Sequence, residues 1–141
     1  MAIKLSVMIE GLKWVLGHST VYVNIKKNTL VNVTDMADVP QEHIFDEIEE
    51  NKNDYIELPS YKQIDTKKMA VDYVNSLGDG AVKSRLEKAL KGMFPMRKFL
   101  KEIEIFEYEN NWYNYRSKAL KQIAINFLNM KHLDYEDDIY Y

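Results

Sequence analysis

The sequence predicts an α+β fold: a small antiparallel sheet, formed by a hairpin plus a short third strand, with two helices, followed by a mainly helical C-terminal half of about four helices. Three observations predict it. β-branched residues alternate with polar ones between Thr20 and Val33. From Asp65 onward apolar residues recur instead at spacings of three and four, the helical period. The breaks between these runs are short and marked by Gly or Pro.

Taken in order, Leu5, Ile9, Leu12 and Leu16 share a helical face with Met8 and Val15 beside them, and Gly17 supplies a stop. A first helix is expected over Lys4–Leu16. Val21, Val23 and Ile25 then alternate with Tyr22 and Asn24, and the pattern resumes at Leu30, Val31 and Val33 beyond a Lys27-Asn28 turn. Asp38 with Gln41 makes a capping box, and Pro40 suits a first helical turn. The helix they open buries Ile44, Phe45 and Ile48 and turns its acids outward. Tyr55–Leu58, ended by Pro59, reads as the third strand, which a lone hairpin needs for stability.

In the helical half, Met69, Tyr73 and Leu77 line one helix, capped by Asp65 or Thr66, and Gly78-Asp79-Gly80 forms the turn after it. Val82, Leu86, Ala89 and Leu90 line the next, which ends at Gly92. Pro95 opens a helix with the stripe Met96, Phe99, Leu100, Ile103 and Phe106. A final helix starts at about Asn111. The expected organisation is one domain over residues 1–134, with an acidic, tyrosine-rich tail over 135–141 that frays.

Residues over 141 positions that are 46% hydrophobic and 29% charged suit a globular chain rather than a disordered one. No apolar run reaches the ~18 residues of a membrane span. The N-terminal stretch lacks a small-residue cleavage site, and there is no cysteine for disulfides or thiolate metal sites. A cytoplasmic location is the expectation. The net charge of −3 is unevenly spread. Acids crowd the segment from Asp35 to Glu57, whereas Lys83, Arg85, Lys88, Lys91, Arg97, Lys98 and Lys101 face only Glu87 between Ala81 and Lys101. Such blocks are either solvated faces or a surface for an anionic partner.

Tyr55, Leu58 and Pro59, then Ala89, Leu90, Gly92, Arg97 and Phe99, then Trp112, Tyr113 and Arg116 carry a resemblance. They resemble the bacterial group known as uncharacterised protein family 0158, and with the hairpin the likeness covers most of the chain. The family carries no established activity, so the resemblance implies fold boundaries rather than function. Met93 stands where its members tend to have a basic residue, and Met96 where they have a phenylalanine.

Motifs for chemistry are sparse. His18, His43 and His132 show no metal-ligand spacing. The glycines of "SLGDGAVKSR" lack the Gly-Lys-Ser/Thr ending of a phosphate loop and follow a helix. No nucleophile motif is present. The sequence therefore predicts no catalytic residue, no cofactor and no metal, and leans against an enzyme. What remains is arginine beside aromatics. Along the last helix Arg116 falls about 40° from Trp112, inside an apolar arc shared with Tyr113, Ala119, Leu120, Ile123 and Phe127. A charge there must be paired or must reach outward. The expectation is an internal clamp in which Arg116 stacks on Trp112, worth roughly 0.5–2 kcal/mol, and pairs with Glu57, Glu104 or Glu107.

The candidate binding residues are thus Arg116, Trp112, Tyr113, Arg97, Lys98, Lys101, Arg85 and Lys88. The function expected first is a non-enzymatic binding protein with another protein as partner, docking through the acidic helix at 41–50 and the tail, with Tyr135, Tyr140 and Tyr141 as anchors. Nucleic-acid binding through the basic helices of 81–101 is the alternative, provided their charges share one face. An enzyme with an Arg116-centred anion site comes third.

Overall fold

Alternating Val21 and Val23, both fully buried, make the centre of the sheet. The computed structural model describes residues 2–33 and 42–141. It contains a three-stranded antiparallel sheet and, among the described residues, six α-helices. The elements are β1 (Ile3–Lys4), α1 (Leu5–Leu16), β2 (Thr20–Asn24), β3 (Thr29–Val33), α2 (Glu42–Glu50), β4 (Tyr55–Glu57), α3 (Thr66–Asn75), α4 (Ala81–Lys91), α5 (Pro95–Ile105), α6 (Glu109–Met130) and β5 (Tyr135–Glu136). The α+β architecture with a helical C-terminal half is as the sequence predicts. Two compact units emerge, residues 1–64 with 120–141 and residues 65–119.

In the first unit the strand order is β3-β2-β4, with Tyr22 opposite both Val31 and Glu57. The hairpin turn is built by two asparagines. Asn24 is buried, and its Oδ1 accepts from the backbone N–H groups of Lys26 and Lys27 at 3.0 Å each, so no polar atom is lost to the interior. Asn28 takes the left-handed conformation at φ 54°, which this residue type tolerates, and accepts from the Lys4 N–H at 2.9 Å. Helix α1 buries Leu5, Met8, Leu12 and Val15. Gly11 permits its close approach to the strands, since a Cβ there would lie 2.6 Å from Leu58 Cδ1.

A second, two-stranded sheet pairs β1 with β5 in parallel, Ile3 with Tyr135 and Lys4 with Glu136. The acidic residues that follow have defined partners. Ser6 donates through both Oγ and N to Asp138, Lys121 pairs with Asp137 at 2.9 Å, and the Lys121 ammonium also donates to the Tyr141 carbonyl. The capping box of Asp38 and Gln41 and the placement of Pro40 lie outside the described residues.

In the second unit Asp65 caps α3, its Oδ1 accepting from the Lys68 N–H at 2.9 Å. Three residues, Gly92, Met93 and Phe94, connect α4 to α5, and Pro95 opens the latter. Among the described residues no helix is long and apolar enough to cross a membrane.

Candidate functional site

Helix α4 sorts its residues by the 3.6 period. Leu86, Ala89 and Leu90 turn inward, while Arg85, Lys88 and Lys91 at spacings of three remain exposed. On α5, Phe99 and Ile103 are buried, and Lys98 and Lys101 are exposed. The two helices bring these charges to a single concavity of about 560 Å³, lined by Arg85, Lys88, Lys91, Lys98, Lys101 and Glu102 over Ala89 and Gly92. The condition the sequence left open, whether both basic helices turn charge to a common face, is met for these residues.

Among the described residues, Glu102 is the one acid lining the groove. Its Oε1 accepts from Arg85 Nη2 at 2.9 Å, which fixes the guanidinium, and its Oε2 is buried with no partner among the described residues. Lys88, Lys91, Lys98 and Lys101 form no ion pair among the described residues, whereas neighbouring Lys83 pairs with Asp79 at 3.6 Å. Four exposed lysines lining one concavity give it a positive potential that favours an anion there. Gly92 keeps the floor open. A Cβ at that position would stand 3.3 Å from Lys98 Nζ.

The aromatic end of α6 resolves differently from the expected clamp. Trp112 is 2% exposed and meets Tyr73 and Phe99 edge-on, with ring centroids 5.2 and 4.9 Å away. Its Nε1 finds no partner among the described residues. Tyr73 donates its hydroxyl to Asn111 Oδ1, and burial, reinforced by the neighbouring Tyr108, pushes its pKa up to about 12. Arg116 does not stack on Trp112. Its guanidinium carbon lies 5.5 Å from the centroid of the half-exposed Tyr113 ring, and no carboxylate among the described residues pairs with it. The physical reason is that Tyr73 and Phe99 already pack on Trp112. Tyr113, three residues before Arg116, lets the half-buried arginine reach toward water.

The eight candidate residues therefore separate. Arg85, Lys88, Lys98 and Lys101 come together in the groove. Trp112 belongs to the packed interior, Arg116 and Tyr113 make a surface pair, and Arg97 is exposed on α5 but does not line the groove. Lys91 and Gly92 complete it and were not among the eight. Lys91 follows Lys88 by three positions, the spacing that would have included it.

Of the acidic docking surfaces, α2 exposes Asp46, Glu49 and Glu50. In the tail Tyr135 is part of β5, Tyr141 lies with its ring 5.6 Å from Lys121 Nζ, and Tyr140 is fully exposed. His18 stacks on Tyr61 at 4.0 Å. No group of three or more metal-ligating side chains occurs among the described residues.

Comparison with known proteins identifies a family. The model of a family described as "Uncharacterised protein family (UPF0158)" matches residues 1–139. No curated protein and no solved structure matches the chain.

Proposed function

This chain belongs to the uncharacterised protein family UPF0158, and with no activity supplied by that membership we propose a function from its basic groove: the protein binds nucleic acid through the phosphate backbone. The observation that carries the reading is the convergence of Lys88, Lys91, Lys98 and Lys101 with the oriented Arg85. Lysines placed around a concavity neutralise successive phosphates without reading sequence. Residues 65–119 hold eleven Lys and Arg against eight Asp and Glu, although the whole chain is net negative. The absence of cysteine suits a cytoplasmic setting.

A protein partner, the function expected first from sequence, has narrower support. The Asp137 and Asp138 carboxylates of the tail already serve Lys121 and Ser6, so that reading rests on the acidic face of α2 and the exposed Tyr140.

Fluorescence anisotropy with labelled oligonucleotides tests the proposal. Lys88→Gln, Lys98→Gln and Lys101→Gln combined should weaken binding at least about tenfold at low salt, through the loss of about two released counterions. Polyglutamate of matched charge should bind much more weakly than the oligonucleotide. Equal affinity of wild type and triple variant, or preference for polyglutamate, refutes it.

A further inference from the structure

The three-residue connection between α4 and α5 lies beside the groove in sequence and departs from the rest of the fold in two ways. Met93 is 72% exposed and Phe94 65% exposed, so two large apolar side chains stand adjacent in water. Phe94 also holds the left-handed conformation at φ 53°. For a bulky residue that is an outlier.

Among the described residues, the other non-glycine positions with positive φ repay their conformation. Asn28 makes the hairpin turn. His18, Glu107 and His132 each follow a helix, and the next residue closes it with a hydrogen bond: Ser19 to Trp14, Tyr108 to Ile103 and Leu133 to Leu128. Phe94 has no such closing bond. Instead it precedes Pro95, and its carbonyl accepts from the Lys98 N–H at 3.1 Å as α5 begins. Its conformation thus sends an aromatic ring into water with no side-chain cap in return, only the first backbone bond of α5, between Lys91 of α4 and the Arg97 and Lys98 of α5. Conformational strain left uncompensated by packing points to a use of the residue itself.

We propose that Phe94, with Met93 beside it, is a stacking platform for unpaired bases, so that the protein binds single-stranded nucleic acid in preference to duplex. This rests on the groove as a phosphate site. A flexible strand can lay its phosphates along Lys88, Lys91, Lys98 and Lys101 while turning a base onto the exposed ring, and every base offers a face for this. A base-paired duplex hides those faces within its own stack.

The test compares the full chain with Phe94→Asn and Phe94→Leu, using fluorescein-labelled oligo-dT, oligo-rU and a blunt DNA duplex of equal length. Asparagine tolerates the left-handed conformation and caps helix N-termini well, so its melting temperature should equal or exceed that of the wild type. Stacking on one ring corresponds to a factor of about 5–140 in affinity. Wild type should favour the single strands over duplex by that factor, and both variants should lose the preference while keeping their duplex affinity. Phe94→Leu confirms that the aromatic face matters rather than apolarity. Tight binding with no single-strand preference, or a preference unchanged in both variants, overturns the platform and leaves the phosphate groove standing. No binding to any of the three probes overturns both.

Discussion

At the scale of residues, Trp112 and Arg116 occupy neighbouring turns of α6 and do unlike work. Trp112 is enclosed by Tyr73 and Phe99, whereas Arg116 keeps one side toward water over Tyr113. Trp112→Ala should cost about 3–5 kcal/mol in urea unfolding, the range for removing a large buried aromatic. Arg116→Gln should cost less than about 1 kcal/mol, because it breaks one exposed cation–π contact and no ion pair among the described residues. Tyr73 adds a dependence on alkali. Its pKa is raised from 10.0 to about 12 by burial and by Tyr108, so the folded state holds the phenolic proton more tightly than the unfolded one. The associated stability is complete below pH 10.0 and is lost as pH rises towards about 12. Comparing unfolding of wild type and Tyr73→Phe across that window should show a loss in the wild type that the variant lacks.

At the scale of elements, the tail is attached by carboxylates. Burial pushes the Asp138 pKa up, but the hydrogen bonds from Ser6 Oγ and N outweigh it and hold the group below its ordinary 3.8. A lowered folded-state value means the attachment is present above pH 3.8 and fails as pH falls below it. NMR signals of residues 135–141 should be dispersed at neutral pH and move to random-coil positions in acid. Asp138→Ala should produce the same collapse at neutral pH. Unchanged dispersion in either case would mean that the Asp138 carboxylate is dispensable and that other contacts, the Ile3–Tyr135 pairing and Lys121 among them, secure the tail. Most other elements were legible because their signals are local. The alternation of Val21 and Val23, the Asp65 cap and the Gly92-to-Pro95 break each lie within a few residues of the structure they specify. The β1–β5 pairing was not, since it joins two-residue strands from opposite ends of the chain. Nothing in a two-residue window carries a periodicity.

Glycine positions misled in a smaller way. Gly17 and Gly92 end their helices as expected, yet with φ of −84° and −89° neither takes the left-handed conformation. His18 and Phe94 take it instead. A sequence reading assigns that role to glycine by default, and only coordinates reveal an aromatic residue bearing it.

At the scale of the whole molecule, the basic stretch of 81–101 was visible as a run of charge, but its surface was not. Which lysines meet depends on how α4 and α5 face each other across the connection, a long-range fact that helical period alone leaves open. Arg97 shows the limit: it belongs to the same charge run and does not line the groove. Arg116 shows it again, because the helical wheel placed it correctly near Trp112 in angle and could not show that other rings had taken the indole. The net charge of −3 also shapes binding. On the proposed reading, long-range attraction to a polyanion is absent, so affinity would come from close contacts in the groove and fall with salt.

That dependence is the most direct measure of the central claim. Affinity for a single-stranded oligonucleotide should be titrated against salt for wild type and for the Lys88→Gln, Lys98→Gln, Lys101→Gln variant. With about 0.7 counterions released per phosphate neutralised, the wild type should give a slope of log affinity on log salt of about −2 to −4. The variant should be shallower by about 2. A wild-type affinity indifferent to salt, or equal slopes for the two proteins, would contradict a phosphate-binding groove between α4 and α5.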